Sequence, residues 1–238
     1  MRKHGFQLPL NKYQFIGIGL FFGVTLVFYL QIYPLLSYMQ KLIIGISFAL
    51  VDFFAFVFYV ITTLIDPSDI TCKQSEDFMY CTLCNAPRSI GTKHCTRCNR
   101  CTNSFDHHCK WINNCVGKKN YKEFLMMIIL IQILCLFFIG SSVFAIIRFT
   151  QRPKNEILGI SVLATFMIPC VFTFGFLAHL TGFHVYLLVK KMSTYEYVIS
   201  KKKKAGAVYH SAEKNIDETI VRTEISHVNK DESLRGSN

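Results

Sequence analysis

Charge is scarce in this sequence: Asp, Glu, Lys and Arg make up 17% of its 238 residues, against 51% hydrophobic. About a quarter is usual for a soluble domain, so composition alone argues against a wholly soluble fold. Acidic residues are the scarcer kind, 15 against 26 lysines and arginines, for a formal net charge of +11. Polar residues are also sparse in four long runs, roughly 15–36, 42–65, 124–147 and 159–189. A core helix of a soluble protein keeps a polar stripe for its wet side, and none of the four has one. Each is longer than the ~20 residues that cross ~30 Å of hydrocarbon as a helix. Four transmembrane helices are therefore expected. The first run is too long for a signal-peptide apolar region and has no small-residue cleavage site, which predicts a retained signal anchor.

The basic residues are unevenly placed. Arg2, Lys3 and Lys12 precede the first run, nine lie within 66–123, and ten follow Val189, including Lys201 to Lys204. The two remaining connections hold only Lys41, and Arg148, Arg152 and Lys154. By the positive-inside rule both termini and the central segment are expected on the cytosolic side. The positive charge then lies along an anionic leaflet, where each basic residue contributes about 1 kcal/mol, and anionic lipids become expected partners. Nucleic-acid binding, the other reading of such basicity, is set aside. The expected organisation is a cytosolic N-terminus (1–14), helices one and two (15–65), a cytosolic domain (66–123), helices three and four (124–189) and a basic cytosolic tail (190–238). The tail is polar with a weak apolar pattern, and partial disorder is expected there.

Seven of the ten cysteines fall between Cys81 and Cys115. On the cytosolic side thiols stay reduced, so metal binding or catalysis is a better reading than disulfides. The order is Cys81-x2-Cys84-x9-His94-Cys95-x2-Cys98-x2-Cys101-x4-Asp106-His107-His108-Cys109-x5-Cys115. Cysteines two apart form a knuckle whose thiolates converge on one tetrahedral ion, and zinc accepts such sulfur and imidazole donors. A cytosolic segment of this size has little apolar material, so metal would have to supply its folding energy. Ten candidate ligands against eight for two zinc ions leave two residues over. A spare thiol beside an imidazole and basic neighbours would be an activated nucleophile. Spacing does not say which residues are spare. A zinc hydrolase is excluded, because eight cysteine and histidine ligands on two ions leave no open position for water. Cys135 and Cys170 lie inside the third and fourth runs and read as packing residues; Cys72 stands apart from the cluster.

The segment from Cys81 to Phe124 resembles the cysteine-rich domain of the DHHC family of protein S-acyltransferases, or palmitoyltransferases. The signature is Asp106-His107-His108-Cys109, followed by "CVGKKNYKEF" from Cys115. "DPSD" (Asp66 to Asp69) and "STYE" (Ser193 to Glu196) sit where the family has Asp-Pro-Gly and Thr-Thr-x-Glu motifs. The resemblance implies an all-α polytopic membrane protein with four transmembrane helices. Between helices two and three it implies a cytosolic zinc-stabilised cysteine-rich domain of short β-hairpins and loops. One zinc would be held by Cys81, Cys84, His94 and Cys101, the other by Cys95, Cys98, His108 and Cys115. Cys109 would be the acyl-accepting thiolate, His107 its general base and Asp106 the carboxylate orienting the imidazole. The activity implied is transfer of a palmitoyl or other long-chain acyl group from acyl-CoA, through a thioester on Cys109, to cysteines of substrate proteins. A weakly catalytic membrane adaptor of the same fold, recruiting cytosolic partners, is the competing expectation. Residence in the endoplasmic reticulum or Golgi is implied as well.

Three positions depart from the family pattern: Ser68 for a glycine, Lys110 for a proline, and Gly91 where a basic residue is common. Lys110 is expected to loosen the turn after Cys109. Lys110, Lys118 and Lys119 are candidates for the phosphates of CoA, or for a solvated or lipid-facing basic edge. Asp52, inside the second run, is either functional or a paired group that packs helices together. His179 and His184 in the fourth run read as packing or interfacial histidines. Pro169 is expected to kink that run.

Overall fold

The computed structural model describes residues 1–68, 78–89, 91–151 and 157–206. Four helices are long and apolar enough to cross a membrane: Lys12–Leu35, Tyr38–Leu64, Tyr121–Thr150 and Ile157–Val189, here spans one to four. Inside hydrocarbon every backbone N–H and C=O must be satisfied within its own segment, which a helix does. Side chains follow the same rule. The hydroxyls of Thr25, Thr63 and Thr165 return to the carbonyls of Phe21, Tyr59 and Ser161 at 3.0, 2.7 and 2.8 Å. Asn11 caps the start of span one, its Oδ1 accepting from the Tyr13 N–H at 3.1 Å. Pro34 lies in the tight turn that ends that span.

Span three is the most enclosed and packs against spans two and four. The core between the helices is apolar: Phe28 stacks on Phe48 at 3.7 Å between ring centres, and both join a cluster with Phe138, Ala145 and Leu163. The outward faces carry exposed Phe22, Leu26, Phe53 and Phe172. Such a surface suits lipid and would aggregate in water. Polar ties between spans are few. Thr25 and Asp52 are hydrogen-bonded at 2.8 Å, joining spans one and two, and Gln132 donates to Thr181 at 2.7 Å, joining three and four. Span four runs as one helix through Pro169.

Between spans two and three lie three antiparallel hairpins, each a separate two-stranded sheet. They are β1 (Phe78–Cys81) with β2 (Ala86–Ser89), β3 (Lys93–Cys95) with β4 (Arg100–Thr102), and β5 (His107–Cys109) with β6 (Asn114–Val116). Strands this short cannot hold together as an isolated sheet. Buried polar groups fasten them to the helices. Arg100, fully buried, pairs with Asp66 at 3.0 Å and donates to the Lys3 carbonyl at 2.7 Å. Asn114 donates to the carbonyls of Thr63 and Ile65, which end span two, at 3.1 and 2.9 Å. Asn113 holds the carbonyls of Gly5 and Pro9 at 3.2 and 3.3 Å.

Residues 1–193 form one compact unit and Thr194–Asn238 a second. In the second, 194–206 are helical and expose Lys201 to Lys204. Asp69, Cys72, Arg152, Lys154 and most of the tail expected to be disordered (207–238) lie outside the described residues.

Candidate active site and metal centres

Each hairpin closes with a four-residue loop of the same form. The loops are "TLCN", "TRCN" and "KWIN", and the last residue of each, Asn85, Asn99 or Asn113, has φ of 50°, 49° or 51°. Asparagine tolerates this left-handed conformation better than most residues because its short side chain can hydrogen-bond locally. The residue before each loop is Cys81, Cys95 or Cys109, paired across to Ala86, Arg100 or Asn114. Lys110 therefore sits in a turn that closes like the other two, and its Nζ lies 5.5 Å above the Tyr13 ring.

Hairpins one and two carry a second cysteine at the third loop position, Cys84 and Cys98. The next hairpin in each case adds a histidine and a cysteine that face each other across its strands: His94 with Cys101, and His108 with Cys115. The ligand atoms of Cys81, Cys84, His94 and Cys101 all lie within 4.8 Å of one another, as do those of Cys95, Cys98, His108 and Cys115. Bonds of ~2.3 Å to sulfur and ~2.1 Å to nitrogen in a tetrahedron put sulfurs ~3.8 Å apart and sulfur and nitrogen ~3.6 Å apart. In the first cluster His94 Nδ1 lies 3.7, 3.2 and 3.9 Å from the sulfurs of Cys81, Cys84 and Cys101. In the second His108 Nδ1 lies 3.7, 3.3 and 3.8 Å from those of Cys95, Cys98 and Cys115, and Cys98 and Cys115 are 3.5 Å apart. These are the edges of two zinc-sized tetrahedra. Two three-cysteine, one-histidine clusters thus fit structural zinc.

Hairpin three departs from this pattern. Ile112 stands where the second cysteine would be, and the chain then enters span three rather than a fourth hairpin. Cys109 belongs to neither cluster. It is buried beside Ile112, Val116 and Phe124. His107 Nδ1 lies 2.7 Å from Oδ2 of the buried Asp106, whose own N–H donates to the Val116 carbonyl at 3.0 Å. That bond fixes the ring so that Nε2 is left for Cys109. Burial draws the His107 pKa down, but hydrogen bonds to Asp106 and Cys109 outweigh it and push it up to about 9. Burial draws the Cys109 thiol up. The hydrogen bond and charge of His107, with the N–H groups of Ile112 and Trp111, outweigh that and hold it below the ordinary thiol value.

The remaining surroundings come from residues far away in the chain. His184, buried in span four, accepts from or donates to the Tyr121 hydroxyl at 2.9 Å, with its ring 6.2 Å from that of His107 and 5.4 Å from that of Phe124. Nothing local to His184 signals this position. Lys119 donates to the Ser68 carbonyl at 2.6 Å, and Lys118 is exposed. Ser68 keeps an ordinary φ, so the glycine it replaces is not needed for a left-handed turn.

Below Cys109 a cavity of about 370 Å³ runs between the spans. Cys109, Trp111 and Ile112 of hairpin three line it, Leu20, Met127 and Leu177 are among its walls, and Cys135 and Cys170 also line it. Ligand cavities are typically ~300–1,000 Å³.

Comparison with known proteins agrees with the geometry. Residues 74–201 match the family described as DHHC palmitoyltransferase. The chain is 30% identical to Palmitoyltransferase ZDHHC11 of Mus musculus over 258 residues, 89% of this chain and 74% of the relative. With Palmitoyltransferase ZDHHC11 of Homo sapiens it shares 27% over 260 residues, 90% of this chain and 63% of the relative. With Protein S-acyltransferase 18 of Arabidopsis thaliana it shares 38% over 144 residues, 55% of this chain and 28% of the relative. Four apolar spans, two zinc-fitting clusters and a thiol outside both thus come with a match over more than half the chain: this multi-pass membrane protein belongs to the DHHC palmitoyltransferase family.

Proposed function

We propose that this protein takes a long-chain acyl group, palmitoyl in the first instance, from acyl-CoA onto Cys109 and passes it to cysteines of protein substrates at the cytosolic membrane face. The observation that carries the reading is that Cys109, against His107, opens onto an apolar cavity built by all four spans. Each buried methylene of an acyl chain gains about 0.8 kcal/mol there. The chain's tail would fill the cavity while its thioester carbonyl stayed beside Cys109.

The Cys109 thiolate attacks the carbonyl carbon. The tetrahedral intermediate then collapses with cleavage of the bond to the CoA sulfur, and CoA leaves with the proton that His107 held. In the second half a substrate thiol gives its proton to His107 and attacks the new thioester, which frees Cys109. One thioester replaces another at each step, so the protein has only to lower barriers. Asp106 keeps the imidazole in register throughout.

Cys81, Cys84, His94 and Cys101 would hold one zinc and Cys95, Cys98, His108 and Cys115 the other. Zinc, when bound, supplies folding energy to hairpins too short to stand alone. The excess of basic residues at the termini and in the central segment supports a cytosolic site with anionic lipid beneath it, and the resemblance to the family supports the endoplasmic reticulum or Golgi. Incubation with an alkyne-bearing fatty acyl-CoA tests the proposal. A hydroxylamine-sensitive label on Cys109 that moves to a substrate cysteine is expected; no label on Cys109 under any condition would favour an adaptor.

A further inference from the structure

The lining of the cavity is largely apolar, and one polar group on it stands out. Tyr59, on span two, lines it together with Cys109 and packs against the cluster formed by Cys109, Ile112 and Phe124. Its hydroxyl oxygen is buried and has no hydrogen-bond partner among the described residues. The Thr63 hydroxyl bonds the Tyr59 backbone carbonyl at 2.7 Å. The ring is steadied by Phe6, edge-on at 6.2 Å. Beside it Gln14, on span one, is fully buried; its amide is close enough to act on the phenol, though the two do not meet in hydrogen-bond geometry. A buried donor without an acceptor is costly and uncommon in a native structure. A phenol so placed, lining the slot that holds the thiol, indicates an acceptor that arrives with the substrate.

Building on the acyl-transfer reading above, we propose that the Tyr59 hydroxyl donates a hydrogen bond to the acyl carbonyl oxygen during its transfer to and from Cys109. As the Cys109 sulfur bonds to the carbonyl carbon, the π electrons move onto that oxygen. The resulting oxyanion sits in an apolar, water-poor pocket where one donor has a large effect. No proton changes hands: the phenol keeps its hydrogen, and the electron pair returns to re-form C=O as the bond to the CoA sulfur breaks. Gln14 is a positioning residue that steadies the phenol beside Cys109. Aligned donors of this kind are typically worth ~10²–10³-fold in rate.

The test separates oxyanion chemistry from thiol reactivity by using two reagents on the same cysteine. Palmitoyl-CoA reacts through an oxyanion; 2-bromopalmitate fills the same slot but alkylates the thiolate by direct displacement, without one. In the full-length protein Tyr59→Phe should slow Cys109 acylation by about 10²-fold. Its rate of 2-bromopalmitate alkylation, metal content and thermal stability should stay at wild-type values. Gln14→Leu should show the same split with a smaller fall. Equal acylation in Tyr59→Phe and wild type would overturn the assignment. So would a parallel loss of both reactions, which would mean that Tyr59 shapes the slot or the thiolate. If wild type alkylates but takes no acyl group, the acyl-transfer reading itself fails and the assignment goes with it.

Discussion

Hairpins one and two end in turns that bring two sulfurs each toward a shared centre. Hairpin three has the same loop length and the same left-handed asparagine, but only one thiol. In the first two, Cys84 and Cys98 complete the knuckle and the following hairpin brings a histidine and a cysteine. In the third, the buried side chain of Ile112 occupies the second position, the helix of span three follows, and His107 faces the lone sulfur. The turn sets up a thiolate in all three cases. What separates structure from chemistry is the company the sulfur keeps. Surrounded by three more ligands it fits a metal; given one imidazole and an apolar cavity, it is left to react.

The strongest way to break this contrast is to remove a sulfur from a metal turn. Cys98→Ala should lower zinc from two ions per chain toward one, measured by elemental analysis of purified protein. The folded yield should collapse, since a structural zinc in a small domain is worth on the order of 10 kcal/mol. Full retention of metal would break the contrast. Removing the sulfur of the third turn should act oppositely: Cys109→Ser is expected to keep both ions and its melting temperature while losing all hydroxylamine-sensitive acyl label. A smaller effect concerns pH. With His107 protonated up to about pH 9 and Cys109 below the ordinary thiol value, alkylation of wild type by iodoacetamide should already be fast near neutral pH. Stability contributed by the raised His107 pKa is full below its unfolded value of ~6.5 and is lost as pH climbs through about 9. The turns themselves give the smallest effect. Asn85→Ala should cost about 1–2 kcal/mol by thermal melting, because alanine resists the left-handed conformation, while Asn85→Gly should lose only the exposed hydrogen bond from Tyr80. Asn113→Gly should cost more than Asn85→Gly, because Asn113 also bonds Gly5 and Pro9.

Much of this was legible in the chain. Hydrophobic runs without a polar stripe predict four spans because lipid imposes that pattern, and the structure has four such helices. Span boundaries are shifted by a few residues, since capping by Asn11 and the proline turn at Pro34 set the ends of span one rather than hydropathy. Cysteine spacing identifies a metal domain because knuckle geometry is local. The tandem "TLCN", "TRCN", "KWIN" loops are a further local signal of three equivalent turns, one without its second cysteine. Contacts across the bundle have no such signature. His184 beside His107, Tyr59 beside Cys109, and Arg100 joining Asp66 to the N-terminal segment depend on helix packing that no short stretch encodes.

The adjacent histidines test the account most directly, because one stands in a metal cluster and the other against the thiol. Zinc content and the rate of Cys109 acylation would be measured together in His107→Ala and His108→Ala. His108→Ala should lose metal, melt early and acylate nothing. His107→Ala should retain two zinc ions and near-normal stability while acylation falls ~10²–10⁴-fold, with partial recovery as pH is raised and more thiolate forms unaided. Loss of zinc from both variants alike, or normal acylation in His107→Ala, would contradict the division of this segment into structure and chemistry.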